Sequence, residues 1–419
     1  MYSKKFNGPT QCFELIVIGL GLVGSSALYE AAKLLNADSL ALSSNKKPRV
    51  LGIEQYEIPH KYGSSHGESR ITRQAIGEGA AYVSLAIKSQ NKLKEMHAKT
   101  NGKFGAIYYE DNTGVLIIGP KDNQNSLLHH TKGFLQTTQN LALRYQIPHV
   151  NFNSKEELIH HFKQFKFKEH EGAYQEQTIG IMDPEACIKA QIYLAQQENA
   201  EVHTNEKVLN FCKMDNGTIK VTTSKGEYDT NKLIIAAGPW MSDFVNPEVR
   251  DQLSVYRQTV FYFEVAPNYQ EQFMLGHFPP FIWDLGRNEC LYGFPIMQKG
   301  KSALKIGAEA FSYPTTPSLV NRTVSEREKR EMYEQFIEPN LHGVLPLCTD
   351  AFVCLYTQTP DSQFQVDYLP GFEPKVIFAA TCAGHGAKHS PAVGEALAQQ
   401  MIWGYNDENI LKLSKTCSI

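Results

Sequence analysis

Phe13-Glu14-Leu15-Ile16-Val17-Ile18-Gly19-Leu20-Gly21-Leu22-Val23-Gly24 is the stretch whose reading decides the fold. The apolar, β-branched run up to Ile18 has the character of a buried parallel strand, and it stops at a glycine-rich turn. Beyond the turn, Val23, Ala27, Leu28, Ala31, Leu34 and Leu35 recur at the helical period, with small residues early enough for a helix to lie close on a sheet. Strand, GxGxxG and helix in that order meet the needs of a dinucleotide-binding turn. The first glycine makes the turn, the second admits a pyrophosphate to the backbone, and the third lets helix meet strand. The helix N-terminus adds unpaired N–H groups and the positive end of a dipole. A second strand, Arg49-Val50-Leu51-Gly52-Ile53, ends at Glu54, a candidate acceptor for ribose hydroxyls. Glu54 comes about ten residues later than the usual spacing, a delay assigned to a polar surface loop over 36–48. The motif alone does not separate FAD from NAD.

The same signal recurs far downstream. Lys232-Leu233-Ile234-Ile235-Ala236-Ala237-Gly238 again runs from an apolar strand into a glycine, and Val376-Ile377-Phe378-Ala379-Ala380 leads to Cys382-Ala383-Gly384-His385-Gly386. The helical pattern of Val393, Ala396, Leu397 and Met401 follows. Parallel-strand signals at the start, middle and end imply one α/β domain assembled from separated segments, 1–106, 178–248 and 350–419. The segments between them, 107–177 and 249–349, read as a second, mixed domain. They hold short strands at Ile107-Tyr108-Tyr109 and Val115-Leu116-Ile117-Ile118, and period-two alternation over 258–265. The polar tract 163–176 reads as a loop. Two domains also suit a chain of 419 residues, too long for one ordinary core.

Net charge is -3 with no sustained Lys/Arg run, which excludes the electrostatic footprint of a nucleic-acid binder. No stretch approaches the roughly 18 apolar residues of a membrane span, and the polar N-terminus, 1–11, lacks an apolar signal core. A cytoplasmic protein is expected. The eight cysteines are scattered without CxxC pairs, so reduced thiols are expected, with neither a disulfide framework nor a zinc site. The pairs His129-His130 and His160-His161 have no acid or cysteine at ligand spacing and read as solvated surface.

The run Gly63-Ser64-Ser65-His66-Gly67-Glu68-Ser69-Arg70-Ile71-Thr72-Arg73 resembles the Gly-Ser-x-His-Gly-[Asp/Glu]-x-Arg-x-x-Arg segment of the monomeric sarcosine oxidase family. That family includes the N-methyltryptophan oxidase relatives and belongs to the FAD-dependent amine oxidases of the D-amino-acid-oxidase type. Three further segments resemble it in the same order: Leu291-Tyr292-Gly293-Phe294-Pro295 with Leu304-Lys305-Ile306-Gly307, then Cys354-Leu355-Tyr356-Thr357-Gln358-Thr359-Pro360-Asp361, then Gly384-His385-Gly386-Ala387-Lys388. The resemblance thus covers most of the chain. It implies a glutathione-reductase-like FAD-binding Rossmann domain beside an antiparallel-sheet substrate domain, with FAD attached covalently through Cys354. It further implies a monomer that oxidises the C–N bond of a small secondary amino acid and reduces dioxygen to hydrogen peroxide.

Residue roles follow from the resemblance. Arg73 and Lys388 would grip the substrate carboxylate, the arginine by its planar fork and the lysine as a compact charge. Lys305 would stabilise superoxide as dioxygen takes its first electron, as preorganised charge stabilises any developing anion. His66 and Arg70 would lie against the flavin ring, and Tyr292 and Tyr356 would line the substrate cavity. Gly19, Gly21, Gly24, Glu54, Ser64, Ser65, Gly238, Trp240, Gly384 and Gly386 complete the expected cofactor contacts, with Lys388 beside them. A thioether on the flavin would make it a better oxidant for a stable C–H bond.

One residue departs from the sarcosine-specific pattern. Four positions after Lys305, where those members carry histidine, this chain has Glu309. A carboxylate there favours a cationic or donor-bearing substrate and disfavours a second acid. Larger N-methyl amino acids, cyclic imino acids and glycated amino acids all stay open. Rival readings are a dehydrogenase of the same fold, a flavin module acting on tRNA, and a dinucleotide fold used only for protein interaction.

Overall fold

The computed structural model describes residues 11–41, 48–110, 113–122, 126–129, 131–286, 289–298 and 300–408. Cys417 lies outside them, as does His130. The opening motif folds as read, into strand β1 (Gln11–Ile18), helix α1 (Leu22–Ala41) and strand β2 (Val50–Ile53). β1 pairs in parallel with β2 on one side and with the strand Glu227–Ile235 on the other. Glu201–His203 adds in parallel to β2, and Val376–Ala380 adds in parallel to Glu227–Ile235. One sheet, eight-stranded among the described residues, therefore collects segments from the start, middle and end of the chain. Glu227–Ile235 divides its length between two partners: residues 227–230 pair antiparallel with Ile219–Thr223, and residues 233–235 pair with Val376–Ala380.

The polar stretch over 36–48 is not all loop, because α1 continues to Ala41. Asn36 donates its side-chain amide to the Glu198 carbonyl at 2.6 Å and to the Glu198 carboxylate at 3.0 Å, so polarity there serves a contact at the end of a neighbouring helix. Residues 42–47 lie outside the described residues. On its inner side α1 meets the C-terminal helix Ser390–Trp403 at backbone distance: a Cβ on Gly394 would stand 2.3 Å from Ser26 Oγ.

Among the described residues the second sheet has nine strands. Its spine is the antiparallel pair Ser254–Val265 and Val344–Gln358, from which Ala303–Ala308, Glu289–Phe294 and Phe281–Gly286 extend in antiparallel order. Phe281–Gly286 then meets Val115–Pro120 in one parallel contact before Glu171–Glu176 and His149–Phe152 close the edge. Its aromatic core includes Phe165 and Phe278, stacked with ring centroids 5.1 Å apart. The strand Glu171–Glu176 corrects the loop reading of 163–176. Its acids are buried acceptors: Trp283 Nε1 donates to Glu171 at 3.0 Å, and Glu176 takes the N–H groups of Gln74 and Ala75 at 2.6 and 2.9 Å. Satisfied internally, such residues cost the strand little. Among the described residues, no helix is long and apolar enough to cross a membrane.

Candidate active site

The glycine turn is built at backbone contact. Gly19 has φ 83, and a Cβ on it would stand 2.6 Å from the Ala236 carbonyl oxygen; a Cβ on Gly24 would stand 1.8 Å from that of Gly19. Leu20 N–H donates to Glu54 Oε2 at 2.9 Å and Leu22 N–H to Ser65 Oγ at 3.3 Å, so the terminal acid and the loop after it close around the turn. Here a cavity of about 1320 Å³, partly continuous with solvent, runs along the carboxyl ends of the parallel strands. Gly19, Gly21, Glu54, Ser64, Ser65, Arg70, Gly238, Trp240, Tyr356, Gly384 and Gly386 line it. Gly24 stands behind the turn as packing, while His66, Cys354 and Lys388 are buried.

At the inner end of the cavity, the loop following Glu54 is pinned by one guanidinium. Arg70 donates to the carbonyls of Ser64, His66 and Ser69 at 2.9, 2.8 and 2.8 Å. Lys305, on Ala303–Ala308, reaches the same loop and donates to Ser69 O at 3.0 Å and Ser69 Oγ at 2.9 Å. Its ammonium stands 4.7 Å from the centroid of the Phe294 ring. Burial, with the charge of Arg70 in support, pulls Lys305 down to about 7. Burial foremost, then Arg70 and Lys305, takes His66 down to about 3, so its ring is neutral, and its Nε2 is buried with no partner among the described residues. Cys354 lies opposite Gln258 in the long strand pair, 2% exposed. Burial pushes its thiol up, and the Arg70 charge opposes that. The adjacent Leu355 carbonyl accepts from the Ser64 hydroxyl, which ties the two segments together.

A second group of charges gathers around Glu78. Arg73 is fully buried; its Nη2 donates to Glu78 at 2.9 Å and its Nη1 to the Ala75 carbonyl, while Nε has no partner among the described residues. Lys388 donates to the His385 carbonyl at 2.8 Å, and burial pulls it down to about 7. Glu309 points one carboxylate oxygen at Gly384, 3.2 Å from where a Cβ would stand, and Tyr356 covers the same glycine at 3.4 Å. Tyr292 lies flat against Gly307, whose missing Cβ would fall 2.6 Å from its hydroxyl. Burial raises both tyrosines, keeping them as neutral hydroxyls.

Of the expected residues, eleven line the cleft; His66, Arg73, Tyr292, Lys305, Glu309, Cys354 and Lys388 do not line it and form an inner wall behind that lining, and Gly24 packs under the turn. The sequence reading misses two further residues of this inner wall. Glu78 carries no periodic or motif signal. His129, expected on the surface, is buried, with its ring between Glu78 and Glu309 at 3.1 and 2.8 Å. Its reading failed because ligand spacing along the chain says nothing of acids brought in from positions 78 and 309. His160 and His161 are exposed as expected. Among the described residues, no cluster of His, Cys, Asp and Glu could hold a metal.

A cradle of glycines at a helix N-terminus, an acid after the second strand, and a buried imidazole, with Nε2 unpartnered among the described residues, packed on the strand that carries Cys354 fit FAD. Together these define a dinucleotide-dependent oxidoreductase. The chain belongs to the FAD dependent oxidoreductase family, whose model matches residues 14–400. It is 32% identical over 405 residues to a monomeric sarcosine oxidase of Bacillus sp. (strain NS-129), covering 95% of both chains. It is 30% identical to an N-methyl-L-tryptophan oxidase of Yersinia pestis (strain Pestoides F), covering 92% of this chain and 94% of that one. The solved structure of NikD, described as an unusual amino acid oxidase, shares the fold with a TM-score of 0.77 at 18% identity, covering 97% of this chain and 98% of that one.

Proposed function

We propose that the protein oxidises the C–N bond of a small secondary amino acid to the imine and reduces dioxygen to hydrogen peroxide. The observation that carries this reading is the burial of three cations behind the lining of the dinucleotide cleft: Lys305 against the loop pinned by Arg70, and Arg73 and Lys388 beside Glu78. The sarcosine and N-methyl-L-tryptophan oxidases among its relatives support secondary-amine chemistry. The substrate loses two electrons and two protons, dioxygen gains both pairs, and water hydrolyses the imine. Bound FAD supplies the two-electron acceptor between these half-reactions.

The chain's own residues bind, orient and handle protons. Arg73, with Nε free and other N–H positions unused, and Lys388 hold the carboxylate. Tyr292 and Tyr356 wall the pocket, and the free oxygen of Glu309 accepts from the substrate nitrogen or from a hydroxyl nearby. That acceptor favours a cationic or donor-bearing substrate over a second acid. Lys305 takes the dioxygen side. Being near 7, it can hold or release a proton near neutral pH. Cys354 is the proposed covalent link to FAD, supported by its burial and by the Arg70 charge, which offsets part of what burial costs a thiolate. We assign 1–106, 178–248 and 350–419 to the FAD unit and 107–177 and 249–349 to the substrate unit. The strand Val344–Gln358 crosses the boundary at 350 and delivers Cys354 from the second sheet.

The deciding assay is peroxide release with a panel of N-methyl, cyclic and glycated amino acids. Dye reduction without peroxide would turn the reading into a dehydrogenase. Acid denaturation, followed by mapping of any retained flavin to its peptide, tests Cys354: free FAD would remove the cysteine from the chemistry.

A further inference from the structure

Four charged side chains form a buried line that a carboxylate grip alone does not require. Arg73 Nη2 donates to one oxygen of Glu78, His129 Nδ1 stands 3.1 Å from the other, and His129 Nε2 stands 2.8 Å from Glu309 Oε2. A neutral imidazole has one donor and one acceptor, and its acceptor nitrogen would face carboxylate lone pairs; only the imidazolium donates to both acids. Burial works against that charge, but Glu309 and then Glu78 carry His129 up to about 10. The other groups around the ring are His385, stacked at 5.8 Å and held neutral by burial, the edge of Phe134 at 6.2 Å, and the charge of Asp284. His129 has φ 48 at the turn between Leu127–Leu128 and Thr131–Lys132, an uncommon conformation for a non-glycine residue. At each end of the line one polar atom is not used by the line itself. Arg73 Nε is buried with no partner among the described residues, and Glu309 Oε1 faces Gly384, which lines the cleft.

We propose that His129 is a positioning residue that couples the two ends of the substrate. It keeps Glu309 turned toward the donor on the substrate nitrogen and, through Glu78, holds Arg73 in place for the carboxylate. This rests on the proposed function. Arg73, Glu78, His129 and Glu309 together carry no net charge, so the site accepts one further carboxylate with Lys388 as its added positive partner. Without the imidazolium, two buried acids face one arginine, and an incoming carboxylate meets repulsion. The site therefore selects amino acids that present carboxylate and N–H donor together, over simple amines.

The first measurement is histidine ¹⁵N NMR of the substrate-free holoprotein at about pH 8, well above an ordinary histidine. One ring should remain an imidazolium, and its signals should vanish in His129→Gln. The second is titration of the holoprotein with acetate, followed by flavin absorbance. His129→Gln should weaken acetate about tenfold, the loss of one charge-assisted interaction, and should raise the amino-acid KM more than it lowers kcat. His129→Gln combined with Glu309→Gln should recover most of the acetate affinity, because the second change removes the stranded acid. A histidine set that titrates with no persistent imidazolium overturns the proposal, as does a double variant whose losses simply add. So does a melting-temperature drop with acetate binding intact. If the wild-type protein oxidises no secondary amino acid, the proposed function fails, while the NMR and acetate results still decide the role of His129.

Discussion

Gly24→Ala tests the cofactor cleft with a single methyl group. The new Cβ would lie 1.8 Å from the Gly19 carbonyl oxygen and 3.2 Å from Ala236 Cβ. Carbon and carbonyl oxygen need about 3.3 Å, so the start of α1 must move by more than about 1 Å relative to the turn. It has little room, because the backbones of α1 and the C-terminal helix already meet where Gly394 faces Ser26 and Ala27. Overpacking of this kind costs about 1–3 kcal/mol. The larger effect falls on the N–H groups at the helix start, each worth about 1.5–3 kcal/mol to an anionic ligand. Flavin per polypeptide after expression should therefore fall well below that of the wild type, while the melting temperature drops by only a few degrees. Gly21→Ala is the control. Its Cβ would meet only the movable Ser65 hydroxyl at 3.1 Å, so the fold should hold and any loss should appear in flavin content. Full flavin loading and unchanged melting in Gly24→Ala would refute the packing argument.

Three further expectations concern the inner wall. Lys388 is pulled to about 7, so it is protonated below that value and loses its charge as pH rises through it; carboxylate KM should rise above neutrality by about tenfold. In Lys388→Met that pH dependence should disappear, as measured by steady-state KM across the range. Lys305→Met should slow reoxidation of reduced enzyme by dioxygen by about 100-fold or more while leaving anaerobic reduction by substrate nearly unchanged, which stopped-flow absorbance separates. Gly307→Ala places a Cβ 2.6 Å from the Tyr292 hydroxyl, and the displaced ring should raise substrate KM more than it lowers melting temperature.

The parts of the fold legible in the sequence are those written locally. β1, the glycine turn and α1 are contiguous, and their chemistry is a property of adjacent residues, so strand, turn and helix appear where read. The downstream parallel strands were legible for the same reason: a strand buried on both faces is a continuous apolar run. The misreadings share the opposite cause. Asn36 and Glu171 are polar, and polarity along the chain does not by itself mean exposure. In the fold one bonds the end of a distant helix and the other accepts from Trp283, partners 162 and 112 positions away.

The inner wall shows the same limit more sharply, since its electrostatics are set by residues with no sequence relation to one another. Glu309 was legible as a departure at a known position, but its effect was not, because a buried carboxylate is defined by what faces it. His129 arrives from a short hairpin and Glu78 from the turn beyond Arg73. Once both are present, the substituted acid is no longer an isolated negative charge but the end of a neutral line that begins at Arg73, the arginine proposed to bind the carboxylate. A buried ionic line of this length gains little stability over well-packed apolar side chains of equal volume. On the proposed function its form is better explained by what it would orient for the two ends of an amino acid: the Glu309 oxygen that faces Gly384, and the Arg73 Nε that has no partner among the described residues. On this argument the exchange of histidine for glutamate cannot be judged at position 309 alone, and a relative's histidine placed there would need His129 and Glu78 changed with it to restore a site of the same charge.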